Sequence, residues 1–162
     1  MSSLKVAFAG LSLSNPSMLA SGIMGETAGA LLRMIENGAG AVVTKSIGLV
    51  PRKGYGNPTL VELPYGYLNA MGLPNPGIES FQKELKQLRG CVVPVIGSVF
   101  ASNPQDFTLM CRQMEEAGVS GVELNLSCPH AAGYGMEIGV DPEAVKEIVS
   151  AVKGSVKVPV FA

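Results

Sequence analysis

Much that would assign a chain quickly is missing from these 162 residues. No apolar run approaches the roughly 18 residues that a bilayer-crossing helix needs, so no membrane is expected. The start, Met1-Ser2-Ser3-Leu4-Lys5-Val6, lacks a signal peptide's apolar centre. Cysteine is scarce. Cys91, Cys111 and Cys128 stand 20 and 17 residues apart, an odd number with no CxxC pair, so neither a disulfide framework nor a zinc site is indicated. No metal is expected, and a reducing, cytoplasmic setting fits best. The formal net charge is only −1, and no basic run offers nucleic acid an electrostatic footprint. Linkers and low-complexity stretches are absent. Histidine occurs once, at His130.

What is present describes one globular domain. Hydrophobic residues make up 47% of the chain, enough for a core at this length. Twenty glycines and eleven prolines cluster between apolar runs, as in working loops. Short apolar runs alternate with helical patterns. Val6–Phe8 and Leu11–Leu13 read as a hairpin around Ala9-Gly10. Strands are expected at 18–21, 41–44, 92–99, 121–127 and from 158 onward. Helices are expected at 28–37, 78–88, 103–117 and 141–152. Asn103-Pro104 and Asp141-Pro142 carry a cap followed by a proline at the first helical position, and Gly38 and Gly118 act as stops. The segment 47–77 reads as one long loop.

Nearly continuous apolar strands alternating with helices argue for a parallel sheet covered by helices, an α/β fold. A (β/α)8 barrel and an open doubly wound sheet both satisfy the pattern. The absence of a G-x-G-x-x-G fingerprint weakens the dinucleotide-binding sheet. In either fold the carboxyl ends of the strands share one face. Ser21, Lys45-Ser46, Ser98 and the group Asn125, Ser127, Cys128 should therefore converge. The stretch Glu123-Leu124-Asn125-Leu126-Ser127-Cys128-Pro129-His130 is the most informative. An apolar strand ends there in an amide, a hydroxyl and a thiol before a turn. Lysine at a strand end suits a phosphate, a carboxylate or a developing anion. Asn57, Asn69 and Asn75 suit a flat ligand with carbonyl and N–H groups, since asparagine donates and accepts.

Five segments carry a family resemblance: Thr44-Lys45-Ser46-Ile47-Gly48; Pro51-Arg52; Gly56-Asn57-Pro58; Leu68-Asn69-Ala70-Met71-Gly72-Leu73-Pro74-Asn75-Pro76-Gly77; and Asn125-Leu126-Ser127-Cys128-Pro129. In order and spacing they closely resemble class 1 dihydroorotate dehydrogenases, FMN enzymes of pyrimidine synthesis. The resemblance implies a parallel (β/α)8 TIM barrel with FMN at the carboxyl face, of which this chain supplies roughly the first half. It implies flavin contacts at Ala20, Ser21, Gly22, Lys45, Ser46, Ser98 and Asn125. It implies substrate contacts at Lys45, Asn69, Ala70, Met71, Gly72, Leu73, Asn125 and His130. Cys128 matches the base that takes the C5 proton of dihydroorotate, while a hydride leaves C6 for the flavin. A homo-oligomer is implied. So is an electron-transfer subunit carrying FAD and an iron-sulfur cluster, if the enzyme is NAD-linked rather than fumarate-linked.

Three departures accompany the resemblance. His130 stands where the family usually has asparagine. The Cys-Pro-His triplet also occurs in dihydropyrimidine dehydrogenases, which act on uracil or thymine. Ser98 stands where NAD-linked members often carry asparagine. Family members also continue past the fifth strand, so the chain is expected to be a fragment that binds FMN poorly alone. An inactive or purely structural half-barrel is the further alternative.

Overall fold

The structure, a computed structural model, describes residues 3–129 and 132–162. It opens with a hairpin of β1 (Val6–Phe8) and β2 (Leu11–Leu13), turning at Ala9 and Gly10, whose φ values of 48° and 81° are those of a tight hairpin turn. The main sheet has five parallel strands: β3 (Met18–Leu19), β4 (Ala41–Val43), β7 (Val95–Val99), β8 (Gly121–Leu124) and β9 (Val160–Phe161). They pair in sequence order, β3-β4-β7-β8-β9. A doubly wound sheet reverses its strand order at a switch point. This sheet does not, and it is built as the wall of a barrel is.

Four longer helices cover the sheet: α1 (Ala28–Glu36), α2 (Ile78–Gln87), α3 (Pro104–Ala117) and α5 (Pro142–Lys153). Their starts follow from local chemistry. Thr27 Oγ1 accepts from Ala30 N, Asn103 Oδ1 from Asp106 N, and Asp141 Oδ1 from Glu143 N and Ala144 N. Gly118, at φ 100°, closes α3. Two carboxylates lock elements together. Glu84 on α2 accepts from Ala28 N at 2.8 Å, capping a neighbouring helix, and Glu115 on α3 accepts from Lys157 N and Val158 N just before β9. The core between helices and sheet includes Leu31, Val42, Phe81, Phe107, Met110, Met114, Val122 and Val152, all shielded from solvent. Cys111 belongs to it. Burial pushes its thiol up to about 12, which makes it an inert core residue.

The expected element order is observed, with shorter strands (β3 ends at Leu19, β4 at Val43, and β9 begins at Val160) and with further differences between them. Within 47–77, read as a loop, β5 (Leu60–Leu63) and β6 (Gly66–Asn69) form an antiparallel hairpin. The third sheet strand begins at Val95 instead of Val92, because Pro94 offers no N–H to a neighbouring strand. The fourth ends at Leu124, and a short helix, α4 (Met136–Gly139), follows the loop after it. Among the described residues no helix is long and apolar enough to cross a membrane.

Candidate active site

The carboxyl ends of four adjacent strands meet in one hydroxyl network. Ser46, just past β4, is its hub. Its Oγ lies 3.1 Å from Ser21 Oγ and 2.9 Å from Ser98 Oγ, and it accepts from Asn125 Nδ2 at 2.9 Å. Asn125 Oδ1 in turn accepts from Ser127 N and Cys128 N, both at 3.2 Å. One asparagine thus ties the end of β8 to β4 and sets the direction of the loop that carries the cysteine. Ser98 is fully buried inside β7, and its backbone N–H donates to Thr44 Oγ1 at 2.9 Å.

Lys45 stands beside the hub with only 7% of its surface exposed. Burial pushes its ammonium below the ordinary lysine range, against the opposing electrostatic pull of the neighbouring Glu26 and Cys128 side chains. Its backbone N–H donates to Gly25 O, and no Cβ fits at Gly25 because it would sit 2.6 Å from Lys45 N.

Two cavities flank this lysine. The larger, about 690 Å³, is lined by Ser21, Gly22, Ile23, Lys45, Thr59, Leu60, Asn69, Met71, Gly72, Leu73, Cys128 and Pro129. The smaller, about 440 Å³, is lined by Ala20, Ser21, Gly22, Lys45, Ser46, Glu123, Leu124, Asn125, Ser127, Phe161 and Ala162. Ser21, Gly22 and Lys45 form the wall between them. Of the residues expected at a site, Ala20, Ser46 and Asn125 therefore face the smaller space, and Asn69, Met71, Gly72, Leu73 and Cys128 the larger. Ser98 lines neither; its hydroxyl sits behind Ser46, bonded to Ser46 Oγ. Ala70 lines neither, and its N–H extends the hairpin by donating to Thr59 O. His130 lies outside the described residues.

The loop 71–75 is held by its neighbours. Arg52 and Asn75 exchange backbone hydrogen bonds at 2.9 Å, Arg52 Nε donates to Gly72 O at 2.7 Å, and Tyr55 N donates to Met71 O. Asn75 does not offer itself to a ligand. Its Oδ1 accepts from Gly48 N and Gly77 N, and its Nδ2 donates to Leu73 O, which supports the positive φ of 55° at Leu73. Asn57 is exposed and lines neither cavity. Asn75→Ala is expected to cost about 1–3 kcal/mol of stability, because it strands buried backbone groups. Urea unfolding of the full-length protein measures this, and a loss of ligand affinity at unchanged stability would contradict it.

Thr59, Leu60 and Ile23 are lining residues that the sequence reading did not single out. Leu60 pairs with Asn69 across the hairpin, so recognising that hairpin would have placed Leu60 and Thr59 at the site. Among the described residues no three His, Cys, Asp or Glu side chains gather as a metal ion requires.

The dihydroorotate dehydrogenase family model matches residues 3–162. The chain belongs to the dihydroorotate dehydrogenase family. A relative from Thermoplasma volcanium, named dihydroorotate dehydrogenase B (NAD(+)), catalytic subunit, is 50% identical over all 162 residues, which cover 54% of its length. The protein of the same name from Pyrococcus furiosus is 51% identical over 160 residues, covering 99% of this chain and 53% of its own. The chain thus spans about half the length of these dehydrogenase relatives. The crystal structure of the Eimeria tenella dihydroorotate dehydrogenase in complex with ferulenol superposes with a TM-score of 0.81 over 94% of this chain and 43% of its own, at 18% identity. That likeness concerns the fold alone, and it agrees with a barrel of which the five strands here form one half.

Proposed function

We propose that this chain supplies the flavin- and substrate-facing half of a class 1 dihydroorotate dehydrogenase that oxidises dihydroorotate to orotate. The observation that carries this reading is the placement of Lys45. It is shared by a cavity holding Cys128 with the Asn69–Leu73 loop and by a second one built from strand ends. Two adjoining spaces with a common cationic wall suit two flat molecules in contact.

The residues present fit the ring of FMN. Ser21, Ser46 and Asn125 line one face, where the Ser21 hydroxyl and the second N–H of Asn125 Nδ2 keep bonding capacity for a ligand, and no hydrogen bond or ion pair to the Lys45 ammonium is formed among the described residues. FMN, when bound, supplies the acceptor for the hydride from C6. The chain's own residues do the rest. Asn69 and the loop to Leu73 seat the substrate. Lys45 meets its anionic groups and the charge that develops as the C5 proton leaves. Cys128, as thiolate, takes that proton. The apolar lip of Ile23, Met71 and Leu73 limits water around these groups.

The relatives' names support the NAD-linked type, in which a partner subunit carries FAD and an iron-sulfur cluster. The triplet Cys128-Pro129-His130 supports one second reading, a pyrimidine such as dihydrouracil as substrate. The full-length protein should be yellow, and its flavin should bleach anaerobically with dihydroorotate and not with dihydrouracil. A colourless protein ends the flavin reading. Bleaching by dihydrouracil alone transfers the assignment to the second substrate.

A further inference from the structure

We infer that Gly135 and Gly139 are positioning residues for Cys128, forming a seat on which the backbone of the cysteine loop rests. The inference deepens the reading of Cys128 as base and rests on it. A Cβ built on Gly135 would lie 2.4 Å from Cys128 O, 2.6 Å from Cys128 N and 2.8 Å from Cys128 Cβ. Two of these neighbours are backbone atoms, which cannot swing away as the end of a side chain can. Gly135 also has φ 58° and ψ −118°, a conformation that only glycine adopts without strain. Four residues on, a Cβ at Gly139 would lie 2.0 Å from Leu126 O. The two glycines, at the cap and the last residue of α4, bring this edge of the helix directly against the segment 126–128.

Hydrogen bonds fix the seat. Met136 N donates to Cys128 O at 3.0 Å, while Asn125 Oδ1 accepts from Cys128 N on the strand side. Both backbone polar groups of the cysteine are therefore held, one by the sheet and one by α4. The seat is itself anchored, because Asp141 N donates to Ile138 O as the chain enters α5, and α5 is fastened in the core by Ile148 and Val152. Any side chain at position 135 displaces the cysteine relative to Lys45 and the 69–73 loop.

Gly133 separates strain from displacement. Its φ is 78°, yet a Cβ there meets nothing within 4 Å. Gly133→Ala and Gly135→Ala are compared in the full-length, flavin-loaded protein. Turnover, KM, flavin absorbance and the iodoacetamide alkylation rate of Cys128 across the neutral pH range are recorded. Gly135→Ala is expected to keep its flavin, lose about 10- to 100-fold in kcat with a smaller change in KM, and alter the alkylation profile of Cys128. Gly133→Ala should stay within about threefold in kcat. If Gly135→Ala loses its flavin, Gly139→Ala, free of φ strain, carries the same expectations. Equal effects at 133 and 135, or an unaltered alkylation profile at the seat, overturn the inference. Undiminished turnover in Cys128→Ala instead overturns the reading of Cys128 as base, while the alkylation profile still decides the seat.

Discussion

Cys128→Ala in the full-length protein is expected to lower dihydroorotate turnover by about 10²- to 10⁴-fold, the usual contribution of a positioned base, with flavin still bound. The substitution removes one sulfur and little else. The backbone of residue 128 stays tied to Asn125 and Met136, so the loop keeps its course. The smaller cavity, lined by strand-end residues that do not include Cys128, keeps its shape. The other thiols provide controls. Cys111 is fully buried, and its thiol, pushed up to about 12, does not ionise near neutral pH. Cys91 is half-buried and packs against the core, outside both cavities. Steady-state turnover and flavin absorbance of the three single alanine variants check this. Only Cys128→Ala should lose activity at constant flavin content. A Cys128→Ala enzyme that turns over normally would remove the base from the mechanism.

The parts of this fold that could be read from sequence are those with local causes. Asn103-Pro104 and Asp141-Pro142 mark helix starts because cap and proline act within one turn, and both caps form their hydrogen bonds. The buried runs at 41–43 and 95–99 announce central strands because a parallel sheet covered on both faces tolerates little else. The hairpin at 60–69 escaped because both of its strands are exposed, so no buried face imposes an apolar alternation on the sequence. At the site, the meeting of Ser21, Ser46 and Asn125 was legible because parallel strands bring their carboxyl ends together. The division of labour among the polar residues was not. Ser98 faces Ser46 instead of a cavity, and Asn75 braces a loop instead of facing a ligand. Both depend on the side to which a chain segment is turned, which composition does not encode. Gly135 and Gly139 resemble ordinary turn glycines until the cysteine loop is seen lying against them.

Lys45→Met is expected to trade activity for stability, and the two changes should separate with pH. Removing a cation from the wall between the cavities should cost about 10²- to 10³-fold in turnover, the scale seen when one group that stabilises developing charge is lost. The fold should gain. Burial places the folded-state pKa of Lys45 below its ordinary value of 10.5, so the unfolded chain holds the proton more tightly than the folded one. Below the folded-state pKa the native protein bears the whole cost of a buried charge. As pH rises through that value toward 10.5 the cost is relieved, because the folded lysine has already lost its proton. Methionine, similar in length and uncharged, never bears it. Its advantage should be largest at neutral pH and shrink steadily in alkaline buffer. Thermal melts of both proteins across that range read it directly, at about 2–4 °C per kcal/mol for a chain somewhat smaller than the full-length relatives. If the methionine variant is less stable at neutral pH, Lys45 is held by a compensating partner in the complete barrel. If its advantage does not fall with pH, the gain comes from packing and not from a buried charge.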